Sequence, residues 1–174
     1  MKVTETADPH SNWREILYLW EKVCYWAYYR TPEDELRRQM KTLLIVLWNE
    51  KDWLKSEFPK RAPDIERFVN NSKYLSAVGD LANTLKHRKL DKKRSKAVEV
   101  EYRWTSMMFK GVKREMGMVQ IGEREFVEFF ALFRNAIVEY EQVREDLYGT
   151  RSDLPLEPAA AWRPLSQHYT QGSC

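Results

Sequence analysis

Three side chains in the stretch Tyr74 to Leu90, YLSAVGDLANTLKHRKL, carry directional chemistry: Asp80, Asn83 and His87. On an α-helix their i, i+3 and i+7 spacing stacks a carboxylate, an amide and an imidazole along one line. An imidazole titrates near pH ~6.5, so at neutral pH it serves as acid, base or phosphate contact. In that reading His87 does the chemistry while Asp80 and Asn83 orient it. The opposite side of the same helix carries Leu75, Val78, Leu81, Ala82 and Leu85, an apolar stripe aimed at a core. A helix that only covered a core would carry interchangeable Lys and Glu on its outer face, and this one does not. The bland reading is a polar ladder roofed by a second layer of protein, with Asp80 and His87 satisfied as buried groups.

Basic residues follow at once. Lys86, Arg88, Lys89, Lys92, Lys93, Arg94 and Lys96 are the densest positive cluster in the chain, which otherwise balances 29 basic against 26 acidic side chains for a net charge of +3. The molecule as a whole is therefore no obvious polyanion binder, and any such signal is local. A basic cluster at a helix C-terminus complements the helix dipole from solvent. It also suits phosphate, which supplies salt-sensitive affinity that ignores sequence.

The pattern D-x-x-N-x-x-K-H-x-x-L, carried by Asp80, Asn83, Lys86, His87 and Leu90, resembles a signature of uncharacterised bacterial and phage-borne helical proteins. In those, a long helix ending in Lys-His is followed by a β-hairpin and a final helix, an order that fits residues 36 to 149. More loosely, the arrangement is similar to the HEPN superfamily of small helical domains, common in toxin-antitoxin and antiviral systems and often metal-independent ribonucleases. The resemblance implies an RNA-directed protein of a defence or toxin-type module. HEPN ribonucleases pair an Arg and a polar residue with a His, four to six residues intervening between the Arg and the His. Here Arg134 and Asn135 fill the first two places of the last helix, and Glu139 stands where the His belongs. A carboxylate can act as a base, but it brings no positive charge to a phosphate. Arg163, Pro164 and His168 have an acceptable spacing, although Pro164 disfavours a helix interior there. No P-loop, dinucleotide fingerprint, nucleophile elbow or H-E-x-x-H motif occurs. Cys24 and Cys174 form neither a disulfide framework nor a zinc spacing. No metal and no cofactor is expected, and a reducing cytoplasm fits.

The elements that must position these residues follow from periodicity. Trp13, Ile16, Leu17, Trp20, Val23, Cys24 and Ala27 recur at helical spacing, giving a first helix to about Arg30 with Ser11 or Asn12 as its cap. Tyr18, Tyr25, Trp26 and Tyr29 extend its aromatic surface beyond one stripe, which predicts burial on two sides or a subunit contact. Thr31, Pro32 and Glu33 open a long second helix whose stripe runs Leu36, Met40, Leu43, Leu44, Leu47, Leu54 and Phe58 to about Pro59. Asn49, Glu50 and Asp52 on it offer a polar patch to the Asp80 line. Pro63 starts a short helix through Val69, and Asn70 to Ser72 break it before the central one. Val98, Val100, Tyr102 and Trp104 alternate with polar residues as a half-buried strand, Gly111 turns it, and Val112 to Ile121 returns. A last helix lies between Gly122 and Gly149, with Phe126, Phe130, Phe133, Ile137, Tyr140 and Leu147 facing inward. The longest apolar run, Leu43 to Trp48, is far short of the ~20 residues that span a bilayer.

The expected fold is mainly α: a four- or five-helix bundle with an inserted β-hairpin, at about 97–121, before the last helix. Residues 1–10 are expected to be a flexible N-terminus, 11–149 the domain, and 150–174 a C-terminal arm in which Trp162 anchors to the body or to a partner. The expected site is His87, Asp80 and Asn83 as the reacting group, with Lys86, Arg88, Lys89, Lys92, Lys93 and Arg94 contacting nucleic acid. The alternative is a non-catalytic subunit that binds a protein partner through the aromatic first helix and the arm. Both readings expect a homo-oligomer and no membrane contact.

Overall fold

A computed structural model describes residue 8 and residues 10–28, 33–87, 102–109, 112–121 and 125–149. The chain is mainly helical, and its axis is α2, Glu33–Glu57, 25 residues long. Met40, Leu43, Leu44, Leu47 and Leu54 on its inner stripe are buried. Each fully buried side chain of that size contributes about 1.5–3 kcal/mol relative to exposure, far more than the tenths that helix propensity supplies per residue. Packing therefore holds this helix, and it ends where the chain becomes unsuitable. Phe58 precedes Pro59 and leaves helical backbone at φ −119° and ψ 67°, as pre-proline crowding demands. A 3-10 turn at Pro59–Arg61 leads into α3, Ala62–Asn71, which has its proline in the first turn and buries Ile65 and Val69.

Ser72 takes extended backbone and interrupts the helical run. Its hydroxyl accepts a hydrogen bond from Leu75 N at 2.9 Å, capping α4, Lys73–His87. Leu75, Val78, Leu81 and Ala82 of the expected stripe are buried. The first helix, α1, is Ser11–Tyr28, and Trp13, Ile16, Leu17, Trp20, Val23 and Cys24 are buried along it. Trp13 lies under Arg144 while Trp20 meets Phe130 and Phe133, so α1 runs antiparallel to the last helix, α5, Phe129–Tyr148. These aromatic residues fill the core, and Tyr18 alone among the described aromatics of α1 is exposed. Asn12 caps nothing at the helix start; its side chain is buried. Asp8 serves there instead, its carbonyl accepting from Ser11 N and its carboxylate from His10 N.

Before α5 stand three antiparallel strands, one more than the alternation of residues shows. β1, Tyr102–Phe109, pairs with β2, Val112–Ile121, from Tyr102↔Val119 to Phe109↔Val112. β2 then pairs with β3, Glu125–Glu128, through Val119↔Val127. Residues 97–101 and Gly111 lie outside the described residues. Val119 is fully buried, with Ile121 and Val127 packed partly against the same core. Phe126, expected on the inner face of the last helix, sits on β3 and is 48% exposed. The helix begins three residues later, where Glu128 in extended backbone accepts from Ala131 N at 3.1 Å. It ends at Gly149, whose φ of 72° is the left-handed conformation that glycine adopts without strain. Among the described residues no helix is long and apolar enough to cross a membrane.

Candidate functional site

Helix α4 continues unbroken through His87, so positions 80, 83 and 87 succeed one another along one line of its surface. Asp80 and Asn83 are half-buried. Lys86 and His87 occupy the last turn, with side chains outside the described residues, as are Arg88, Lys89, Lys92, Lys93 and Arg94 altogether. Burial pushes the Asp80 carboxyl up to about 6 from an ordinary 3.8. Among the described residues nothing hydrogen-bonds that carboxylate; the nearby Thr84 hydroxyl donates to the Asp80 main-chain carbonyl at 2.8 Å. A carboxyl in this state is partly protonated close to neutral pH and can give or take a proton from a neighbour.

Gly79 fixes how closely this helix meets α2. The Trp48 ring lies against it so tightly that a Cβ there would stand 2.6 Å from Cη2 and 2.9 Å from Cε3. Lys51 Nζ sits over the Trp48 ring, 4.0 Å from its centre, and reaches Glu66 of α3 at 3.3 Å. Trp48 thus packs against a glycine backbone and carries a cation over its ring.

The polar patch expected on α2 does not reach the Asp80 line as a unit. Glu50 is fully buried between α1 and α5, where Asn12 donates to it at 2.6 Å and Arg144 Nη1 lies 2.5 Å from Oε1. Arg144 is itself 3% exposed, contacts His10 Nδ1 at 2.5 Å, and lies 5.1 Å and 5.0 Å from the ring centres of Trp13 and Tyr148. Burying a carboxylate is unfavourable unless its charge is met, and here a guanidinium and an amide meet it. Asp52 stays on the surface and pairs with Lys55 at 3.0 Å. Spacing along α2 shows that Glu50 falls near the apolar stripe, but its partners are distant in sequence and no local signal names them.

Glu139, in the place a HEPN ribonuclease gives to His, is occupied with architecture. It accepts from the Ser72 hydroxyl and the Leu75 main-chain N–H, tying α5 to the start of α4. Burial raises its proton affinity and those two hydrogen bonds oppose the rise. Arg134 is exposed and Asn135 half-buried. At the other end of α5, Glu128 is pushed up to about 7 by burial, against the hydrogen bonds it accepts from Phe130 and Ala131. The buried Cys24 thiol is pushed up to about 12 by burial and by the charges of Glu128 and Glu21, which makes it a packing group and not a nucleophile. Among the described residues no cluster of His, Cys, Asp and Glu can hold a metal ion.

Compared with protein-family models, with curated proteins and with solved structures, the chain finds no match.

Proposed function

We propose that this chain is a HEPN-like, nucleic-acid-associated helical protein, RNA-directed, belonging to a bacterial or phage defence or toxin-type module. The observation that carries the reading is the course of α4: one continuous helix runs from the half-buried Asp80 through Lys86 and His87, and in the sequence Arg88, Lys89, Lys92, Lys93, Arg94 and Lys96 follow. A helix end that carries a lysine and a histidine, followed in the sequence by six further basic residues, suits phosphate. Binding without cleavage by the last helix fits best, because Glu139 stands in place of a His, accepts from Ser72 and brings no positive charge to a phosphate. The test is a gel-shift and cleavage assay with short RNA and DNA at two salt concentrations, wild type beside His87→Ala. Salt-sensitive binding that weakens in the variant supports the proposal. No binding by either protein, with the variant melting earlier, rejects it.

A second reading, a non-catalytic subunit that binds a protein partner, draws support from a different place. A groove beside Glu139 holds a half-buried carboxylate and an exposed aromatic ring, both suited to a side chain from outside.

A further inference from the structure

Between the C-terminal half of α3 and the middle of α5 runs an open groove of about 470 Å³, lined by Asp64, Arg67, Phe68, Asn71, Ser72, Glu139 and Gln142. Its charges are unevenly answered. Asp64 is met twice, by Arg67 Nη1 at 3.4 Å and by Arg61 Nε at 3.4 Å. Glu139 is met by no cation among the described residues; its partners are a hydroxyl and a main-chain N–H, both neutral. The groove therefore holds one fixed, half-buried carboxylate without a counter-charge. Phe68 stands in the same groove, 39% exposed, although a ring of that size is ordinarily buried. Gln142 and Asn71 add exposed amides, with Gln142 one turn beyond Glu139 on the same face of α5.

A planar cation answers these features together. Guanidinium stacks on an aromatic face and meets a carboxylate through two parallel N–H groups, whereas an ammonium is a strongly hydrated point charge. A nucleic-acid strand is the poorer occupant, because its phosphates would approach an uncompensated carboxylate. We infer that this groove receives an arginine side chain from a protein partner, its guanidinium stacked on Phe68 and hydrogen-bonded to Glu139. The inference deepens the second reading above and stands independently of nucleic-acid binding at the end of α4.

The experiment is a titration of the full chain with the blocked tripeptide Gly-Arg-Gly, followed by NMR shifts of the Gln142 side-chain amide and the Phe68 ring. Peptides carrying lysine or citrulline in place of arginine, and guanosine monophosphate, are run beside it. Saturable shifts with arginine, weakened about tenfold or more in Phe68→Ala and in Glu139→Gln, are expected, a tenfold loss being the size of one such contact. Equal binding of the lysine or citrulline peptide, tighter binding of the nucleotide, or no saturable shift overturns the inference. Should Glu139→Gln fail to fold, Phe68→Ala decides alone, since its ring is partly exposed. RNA gel shifts of Phe68→Ala should match wild type, which separates this site from the one on α4.

Discussion

The ring of Trp48 occupies the space where residue 79 would carry a side chain, so α2 and α4 meet at a glycine. Gly79→Ala must move the ring or the helix, and we predict a loss of about 1–3 kcal/mol, the usual result of overpacking a filled site. Urea unfolding of Gly79→Ala, of Trp48→Leu and of the pair checks it. The double variant should be less destabilised than the two losses added, because the smaller residue at 48 admits the new methyl.

The buried pair Glu50 and Arg144 should behave asymmetrically. Removing one partner, as in Glu50→Leu, strands a guanidinium in the core and should destabilise by about 3–5 kcal/mol. Replacing both, as in Glu50→Leu with Arg144→Met, should recover much of that loss. Denaturation of the three variants measures this, and equal losses in single and double variants would refute the pairing.

Ser72 and Glu139 share one joint, with the Ser72 hydroxyl accepting from Leu75 N and donating to Glu139. Ser72→Ala removes the cap and should lower stability by about 1 kcal/mol. Amide hydrogen exchange should rise first at the start of α4.

Acidity supplies a prediction with a definite sign. Asp80 is raised from 3.8 to about 6 and Glu128 from 4.5 to about 7, so in this window the folded state binds protons more tightly than the unfolded chain. The contribution of these groups is complete below their unfolded values and is lost as pH rises through the folded ones. Stability should therefore fall between about pH 4 and pH 7 on their account. Asp80→Asn and Glu128→Gln should each flatten the slope of the urea midpoint against pH, and Gln at 128 keeps an acceptor for Ala131 N. An unchanged slope in both would contradict the assignment.

Much of the fold is legible in the sequence because its elements are long and their apolar spacing is regular. Leu75, Val78, Leu81 and Ala82 sit where a 3.6-residue period puts them, as do Phe133, Ile137 and Tyr140. β3 was hidden for a physical reason. Four residues are too few to show alternation, and Phe126 and Phe130 have the i, i+4 spacing of a helix face although a strand and a cap lie between them. The Glu50 cluster was hidden for another: its members come from residues 10, 12, 50 and 144, and only the folded chain brings them together. Type and spacing single out Asp80 and Asn83 in the sequence, and the structure adds the half-burial that raises the Asp80 carboxyl.

The salt dependence of RNA binding tests the central proposal most directly. The affinity of a short single-stranded RNA is measured by fluorescence anisotropy over a range of salt, for wild type and for Lys92→Glu with Lys93→Glu. The account predicts a falling log–log slope that becomes shallower by about one per phosphate contact removed, with thermal stability unchanged. Identical slopes in the two proteins, or no binding at low salt, would contradict it.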